Sequence, residues 1–202
     1  MKTPIHITWS GSGKMEGKTS INDDPYSNEY CHSQCPNREV CYAKFFCRLR
    51  PSAKKCFAKN GDLMSKGILP KQMLPSLAPN DDVRIHSFGE FRNETHLTNM
   101  RNICRKNDLT RFHAWSHRKE LVIPAKLPDN MRFIYSSGVD DIHAEIPDNF
   151  VGVYIPVTHA VVEEHGIKLT CNGQRCIECG KCYGKKDPGV IYAKFKPYTV
   201  PA

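Results

Sequence analysis

The sequence predicts an α/β fold, either a partial (β/α) barrel or a curved open parallel sheet, with Cys-rich loops at the carboxyl edge of the strands. Three observations carry this. Short β-branched or aromatic runs recur along the chain, helical patterns or long loops separate them, and several runs end in polar or small residues. The runs are Pro4 to Trp9, Val83-Arg84-Ile85-His86, Phe112-His113-Ala114-Trp115, Arg132-Phe133-Ile134-Tyr135, Val151-Gly152-Val153-Tyr154-Ile155 and Ile191-Tyr192-Ala193-Lys194-Phe195. Ser10 to Lys14 reads as a turn, because it lacks the spacing of a phosphate loop. Residues 22–40 are rich in Asn, Asp, Ser and Pro and read as a loop. Val40 to Lys59 places Tyr42, Phe45, Phe46 and Leu49 at helical spacing, and Pro51 divides it into two helical pieces. Thr95 to Lys106 is a helix with Leu97, Met100, Ile103 and Cys104 on one face.

Ser87 and Glu90, Ser116 and His117, Ser136-Ser137-Gly138, and Thr158 and His159 follow the strands. In parallel α/β folds this is the edge that carries the site. His86, His113 and His117 are expected to face it. Five or six strands are too few for a closed eight-stranded barrel.

The chain has 202 residues, 40% hydrophobic and 25% charged, which suits a single domain spanning 1–202 with its own core. No 18-residue apolar stretch exists, so no membrane span is expected. The opening has no hydrophobic run of signal length, which points to a reducing compartment. The net charge is +8, and nine Lys or Arg between Arg38 and Lys71 face only Glu39 and Asp62. A solvated helix face accounts for most such charge; weak, salt-sensitive, sequence-independent nucleic-acid binding is the most it implies.

The ten cysteines carry the functional signal. In a reducing compartment, clustered cysteines bind metal rather than form disulfides. The Cys-rich segment 171–182 reads Cys171-x4-Cys176-x2-Cys179-x2-Cys182, four thiols within twelve residues. Such tight spacing wraps a loop around one compact inorganic core, whereas structural zinc uses two well-separated Cys pairs. A [4Fe–4S] cluster follows. Cys31-x3-Cys35-x5-Cys41 forms a second group, and three thiolates would leave one iron of a cubane open to a small molecule. The protein therefore holds one cluster, or two if both groups are occupied. Cys47, Cys56 and Cys104 fall on helices and read as core. The alternative function is a zinc-stabilised, basic nucleic-acid-binding protein.

Several of these pieces occur in an order that resembles the bacteriophage "gene product eighty-eight" family. They are Lys14-Met15 with Thr19-Ser20, Cys31, Cys35 and Cys41-Tyr42-Ala43, the stretch Arg84 to Phe91, Phe112 to Ser116, and Cys176-x2-Cys179-x2-Cys182-Tyr183 before Val190-Ile191-Tyr192. The resemblance implies a phage-encoded protein of the host bacterial cytoplasm. It leaves the redox partner or small-molecule substrate undefined. The layout also resembles radical S-adenosylmethionine enzymes, which place a three-cysteine loop after the first strand of a partial barrel. That likeness implies a cofactor-binding part for Glu90, which follows Gly89. The x5 spacing before Cys41 and the lone glycine argue against S-adenosylmethionine itself.

Overall fold

Alternation along each strand sorts the side chains onto two faces, and the two faces have different fates. The computed structural model describes residues 4–184 and 186–198. Its strands are β1 (Thr8–Trp9), β2 (Thr19–Ile21), β3 (Asp82–Ile85), β4 (Arg111–Ser116), β5 (Met131–Ser136), β6 (Gly152–Val157) and β7 (Gly189–Lys194). They form one open sheet in that same order. β1 runs antiparallel to β2, and every other pair is parallel. The helices are α1 (Glu29–Ser33), α2 (Tyr42–Leu49), α3 (Pro51–Lys66), α4 (Glu94–Lys106), α5 (Lys119–Val122), α6 (His159–His165) and α7 (Cys176–Cys179).

The α/β class and the mostly parallel open sheet are as the sequence predicts. Three details differ. The first predicted strand, Pro4 to Trp9, pairs only at Thr8 and Trp9, because its partner β2 is three residues long. β2 was too short to show a period of its own. Residues 22–40 include the short helix α1. Pro51 does separate two helices, sitting in the first turn of α3 where its missing N–H costs nothing. That helix continues past Lys59 to Lys66 through Gly61. A Cβ at Gly61 would lie 1.9 Å from Asp23 Oδ1, so glycine lets the helix pass an ion pair described below.

On one face Ile21, Val83, Ile85, Phe112, Ala114, Met131 and Phe133 pack against Met64 of α3 and Leu97, Met100 and Ile103 of α4. Phe91, Phe112 and Phe133 are fully buried there. Each such burial contributes about 1.5–3 kcal/mol. Further along the same face, Val153, Ile155 and Val157 of β6 pack under Val161 and Val162 of α6. Strands that advance one place at a time through right-handed crossovers put all their helices on one side. There is accordingly no switch of direction in the sheet, and its second face is left without helices apart from the four-residue α7. Arg84, His113, Trp115, Ile134, Tyr154 and Ile191 alternate onto that second face.

Candidate metal centre

The N-terminal cysteine group hangs from the end of β2. Asn22 and Asp23 pair with the chain just beyond β3. Asp23 N donates to the Phe88 carbonyl (3.1 Å), and Phe88 N donates to Asn22 Oδ1 (3.2 Å). Arg92 grips the Asp23 carboxylate with Nε (2.9 Å) and Nη2 (2.8 Å). Asn28 Nδ2 donates to both Asp23 Oδ2 and the Glu90 carbonyl, each at 2.8 Å. Gly89, at φ +80°, is held so close that a Cβ would meet the Asp23 carbonyl oxygen at 2.4 Å. Asp23 has no exposed side-chain surface. Arg92→Met would leave that carboxylate with only Asn28 and a backbone N–H. The expected cost is about 3 kcal/mol in a denaturant titration, the lower range for breaking a buried pair; a change below about 1 kcal/mol would show the pair to be peripheral.

This scaffold carries Cys31 in α1, Cys35 just after it and Cys41 at the start of α2. Cys31 and Cys35 are buried and Cys41 is half-buried. Burial pushes the Cys31 thiol far up and the Cys35 thiol up to about 11, with Glu90 and the neighbouring thiols adding to both. The three thiols and Glu90 thus share one low-dielectric neighbourhood at the carboxyl edge of the sheet.

Glu90 is itself engaged. Its Oε1 accepts from Ser116 Oγ (2.9 Å) and Phe91 N (2.8 Å), and its Oε2 accepts from His117 N (2.8 Å). These bonds tie the end of β3 to the end of β4. Burial still raises its carboxyl to about 7. Oε2 keeps acceptor capacity beyond the one bond it makes.

The three histidines expected at one site do not converge. His86 sits at φ +56°, which turns its ring back toward the helices. There it packs edge-on to Phe91 (4.4 Å) and His96 (5.2 Å). His113 lies inside β4 and bonds Asp82, the first residue of β3, at 3.3 Å. Of the three, only His117 stays beside Glu90.

The C-terminal group also departs from the expected edge position. In a parallel sheet the chain leaving β6 must travel back along the strands before β7 can begin. The segment after α6 makes this return across the helix-free face. Near its start Cys171 N donates to the Tyr192 carbonyl (3.0 Å), and Lys194 N donates to the Cys171 carbonyl (3.2 Å). Near its end the Gly184 carbonyl accepts from Arg132, close to the start of β5. Between these points α7 carries Cys176 and Cys179, and Gly180, at φ +62°, turns the chain to Cys182. Cys171, Cys176 and Cys182 pack on Trp115, Ile134, Tyr183 and Ile191, while Cys179 is exposed.

Cations surround this group. Lys14 Nζ donates to Cys171 Sγ (2.9 Å), and the Lys14 carbonyl accepts from Cys176 N (2.8 Å). The Arg84 guanidinium lies 3.4 Å from the Trp115 ring centre. Burial raises the Cys176 thiol, and the Cys182 thiol to about 11, with Lys14 and Arg84 pulling the other way.

All ten cysteines are free. Among the described residues, no three His, Cys, Asp or Glu side chains converge tightly enough to hold a single metal ion. Cys47 and Cys104 are buried and Cys56 half-buried on their helices, in keeping with a core role. No helix among the described residues is long and apolar enough to cross a membrane. Lys14, Arg84 and the Asp23–Arg92 pair were not legible as site residues; the only signal for the pair was a dense Asn-Asp-Asp run directly after a strand. No protein-family model, curated protein or solved structure matches this chain.

Proposed function

We propose that the chain is an iron–sulfur protein in which Cys171, Cys176, Cys179 and Cys182 hold a [4Fe–4S] cluster. Cys31, Cys35 and Cys41 form a second, three-thiol site at the carboxyl edge. The single direction of winding supports reading the sheet as a section of a (β/α) barrel. The observation that carries the proposal is the C-terminal segment. Four thiols lie within one short loop, stitched to β7 on one side and to the Lys14 turn on the other, with cations beside them. Thiols grouped but spread suit a cubane, whose irons occupy separate corners, better than a single ion. A cluster there supplies one-electron redox chemistry. The chain's own residues hold it against an aromatic floor and limit access of water.

The family resemblance extends the proposal to a phage-encoded protein acting in the host bacterial cytoplasm, with a redox partner or a small molecule as its target. The engaged Glu90 carboxylate and the x5 spacing support a three-thiol site that does not cleave S-adenosylmethionine. The zinc-based nucleic-acid reading draws on the basic helices, of which Lys54 lies over the Tyr26 ring (4.0 Å) and Arg50 over Phe46 (5.2 Å).

The test is iron, sulfide and zinc analysis of anaerobically purified protein, with an electron paramagnetic resonance spectrum after reduction. The expected result is a brown protein with roughly four irons per chain, or roughly eight if both groups fill; protein prepared in air should keep roughly four. A colourless protein with stoichiometric zinc would overturn the proposal.

A further inference from the structure

We propose that Arg84, assisted by Lys14, is the counter-charge of the C-terminal cluster and sets its reduction potential. This rests on the iron–sulfur reading of Cys171 to Cys182.

Arg84 projects from the middle of β3 onto the helix-free face, where Trp115 stacks beneath it and Tyr183 is its neighbour. Its Nε is enclosed and has no hydrogen-bond partner. Its polar neighbours include Tyr183, which shares a hydrogen bond with the guanidinium, Tyr42 and Cys176, none of them a carboxylate. A guanidinium cannot discharge itself by losing a proton. Half-buried with no carboxylate beside it, the charge is left to its aromatic and phenolic neighbours. Of the other basic groups of this face, Lys18 pairs with Asp82 (3.0 Å), a carboxylate shared with Arg111, Arg132 pairs with Asp187, and Lys14 meets only Cys171. Arg84 therefore stands out as a fixed positive charge whose partner must come from the site itself.

The cysteine loop supplies that partner once its thiols are metal-bound. Cys176 and Cys182 rest on the same Trp115–Tyr183 floor as Arg84, and Lys14 bonds Cys171 from the other side. An oxidised [4Fe–4S] core with four thiolates carries a net double negative charge. Arg84 and Lys14 together carry the matching double positive charge. One-electron reduction adds a further negative charge, so both cations favour the reduced state, and losing either should lower the potential.

The experiment is a dithionite redox titration, followed by electron paramagnetic resonance, of anaerobically prepared wild type, Arg84→Gln, Arg84→Lys, Lys14→Gln and Lys55→Gln. Arg84→Gln is expected to shift the one-electron equilibrium at least tenfold toward the oxidised form, about 59 mV. Lys14→Gln should shift it in the same direction by less, because that side chain is exposed. Arg84→Lys keeps the charge and should keep most of the potential. Lys55→Gln removes a charge from the exposed side of α3 and should leave the potential unchanged. Cluster-loaded Arg84→Gln with the wild-type potential would overturn the inference while leaving the cluster reading intact. If Arg84→Gln does not retain iron, an unchanged potential in Lys14→Gln would overturn it instead. Wild type without iron would defeat the cluster reading itself, and this inference with it.

Discussion

Cys176→Ser combined with Cys179→Ser is expected to remove the C-terminal iron and to cost on the order of 5–10 kcal/mol of stability. Metal-binding free energy is folding free energy when the unfolded chain has no preformed site. The segment from Cys171 to Tyr183 has few apolar anchors of its own: Tyr183 is buried on Trp115, and the cysteines supply most of the rest. Serine is close to cysteine in size but is a poor ligand for iron. The loss should therefore greatly exceed that of Cys56→Ser, which replaces a half-buried thiol on α3. Iron content and the denaturant midpoint, compared between the two variants, provide the check. A double variant that keeps full iron and full stability would sink the cluster assignment.

Acid should unfold the protein well before its carboxylates alone would require. Burial depresses His86 well below the usual imidazole range, His96 to about 3, and His113 and His117 to about 4. Below pH 6.5 an unfolded imidazole takes up a proton that these buried rings refuse. The unfolded state then binds more protons, so stability falls as pH drops from about 6.5 toward 4. Glu90 works in the opposite sense. Its carboxyl is raised to about 7, so between pH 7 and 4.5 the folded state binds the extra proton. Four histidines outweigh one glutamate, and at 1.36 kcal/mol per pKa unit the net loss between pH 7 and 4.5 is on the order of 7 kcal/mol. Denaturant midpoints at the two pH values measure it directly. An unchanged midpoint would mean that these rings are protonated in the folded protein.

The strands with clear alternation were legible because alternation and burial coincide: β4 and β5 bury one set on the helices and the other under the cysteine loop. β2 was not legible, since three residues show no period. Both cysteine groups could be read as groups from spacing alone. The placement of the C-terminal group could not. The C-terminal four lie on the sheet face because a parallel crossover must return along the strands, a constraint of topology rather than of local sequence. His86 shows the reverse limit. Its position at the end of β3 suggested the carboxyl-edge site, and a positive φ turns it toward the helices instead. Glu90, Ser116 and His117 were legible as polar residues at strand ends, but the bonds between them that bury the Glu90 carboxylate were not.

The bond pair between Cys171 and β7 has a bearing on solubility. An open sheet has two outer strands whose unpaired N–H and C=O groups invite a neighbouring chain to add on. Here one border ends in β1, only two residues long. At the other, Cys171 lies alongside Ala193 and takes up the Tyr192 carbonyl and the Lys194 N–H. The cysteine loop thus doubles as a selvage at the end of β7: it covers part of the border that a closed barrel would have sealed by joining its last strand to its first.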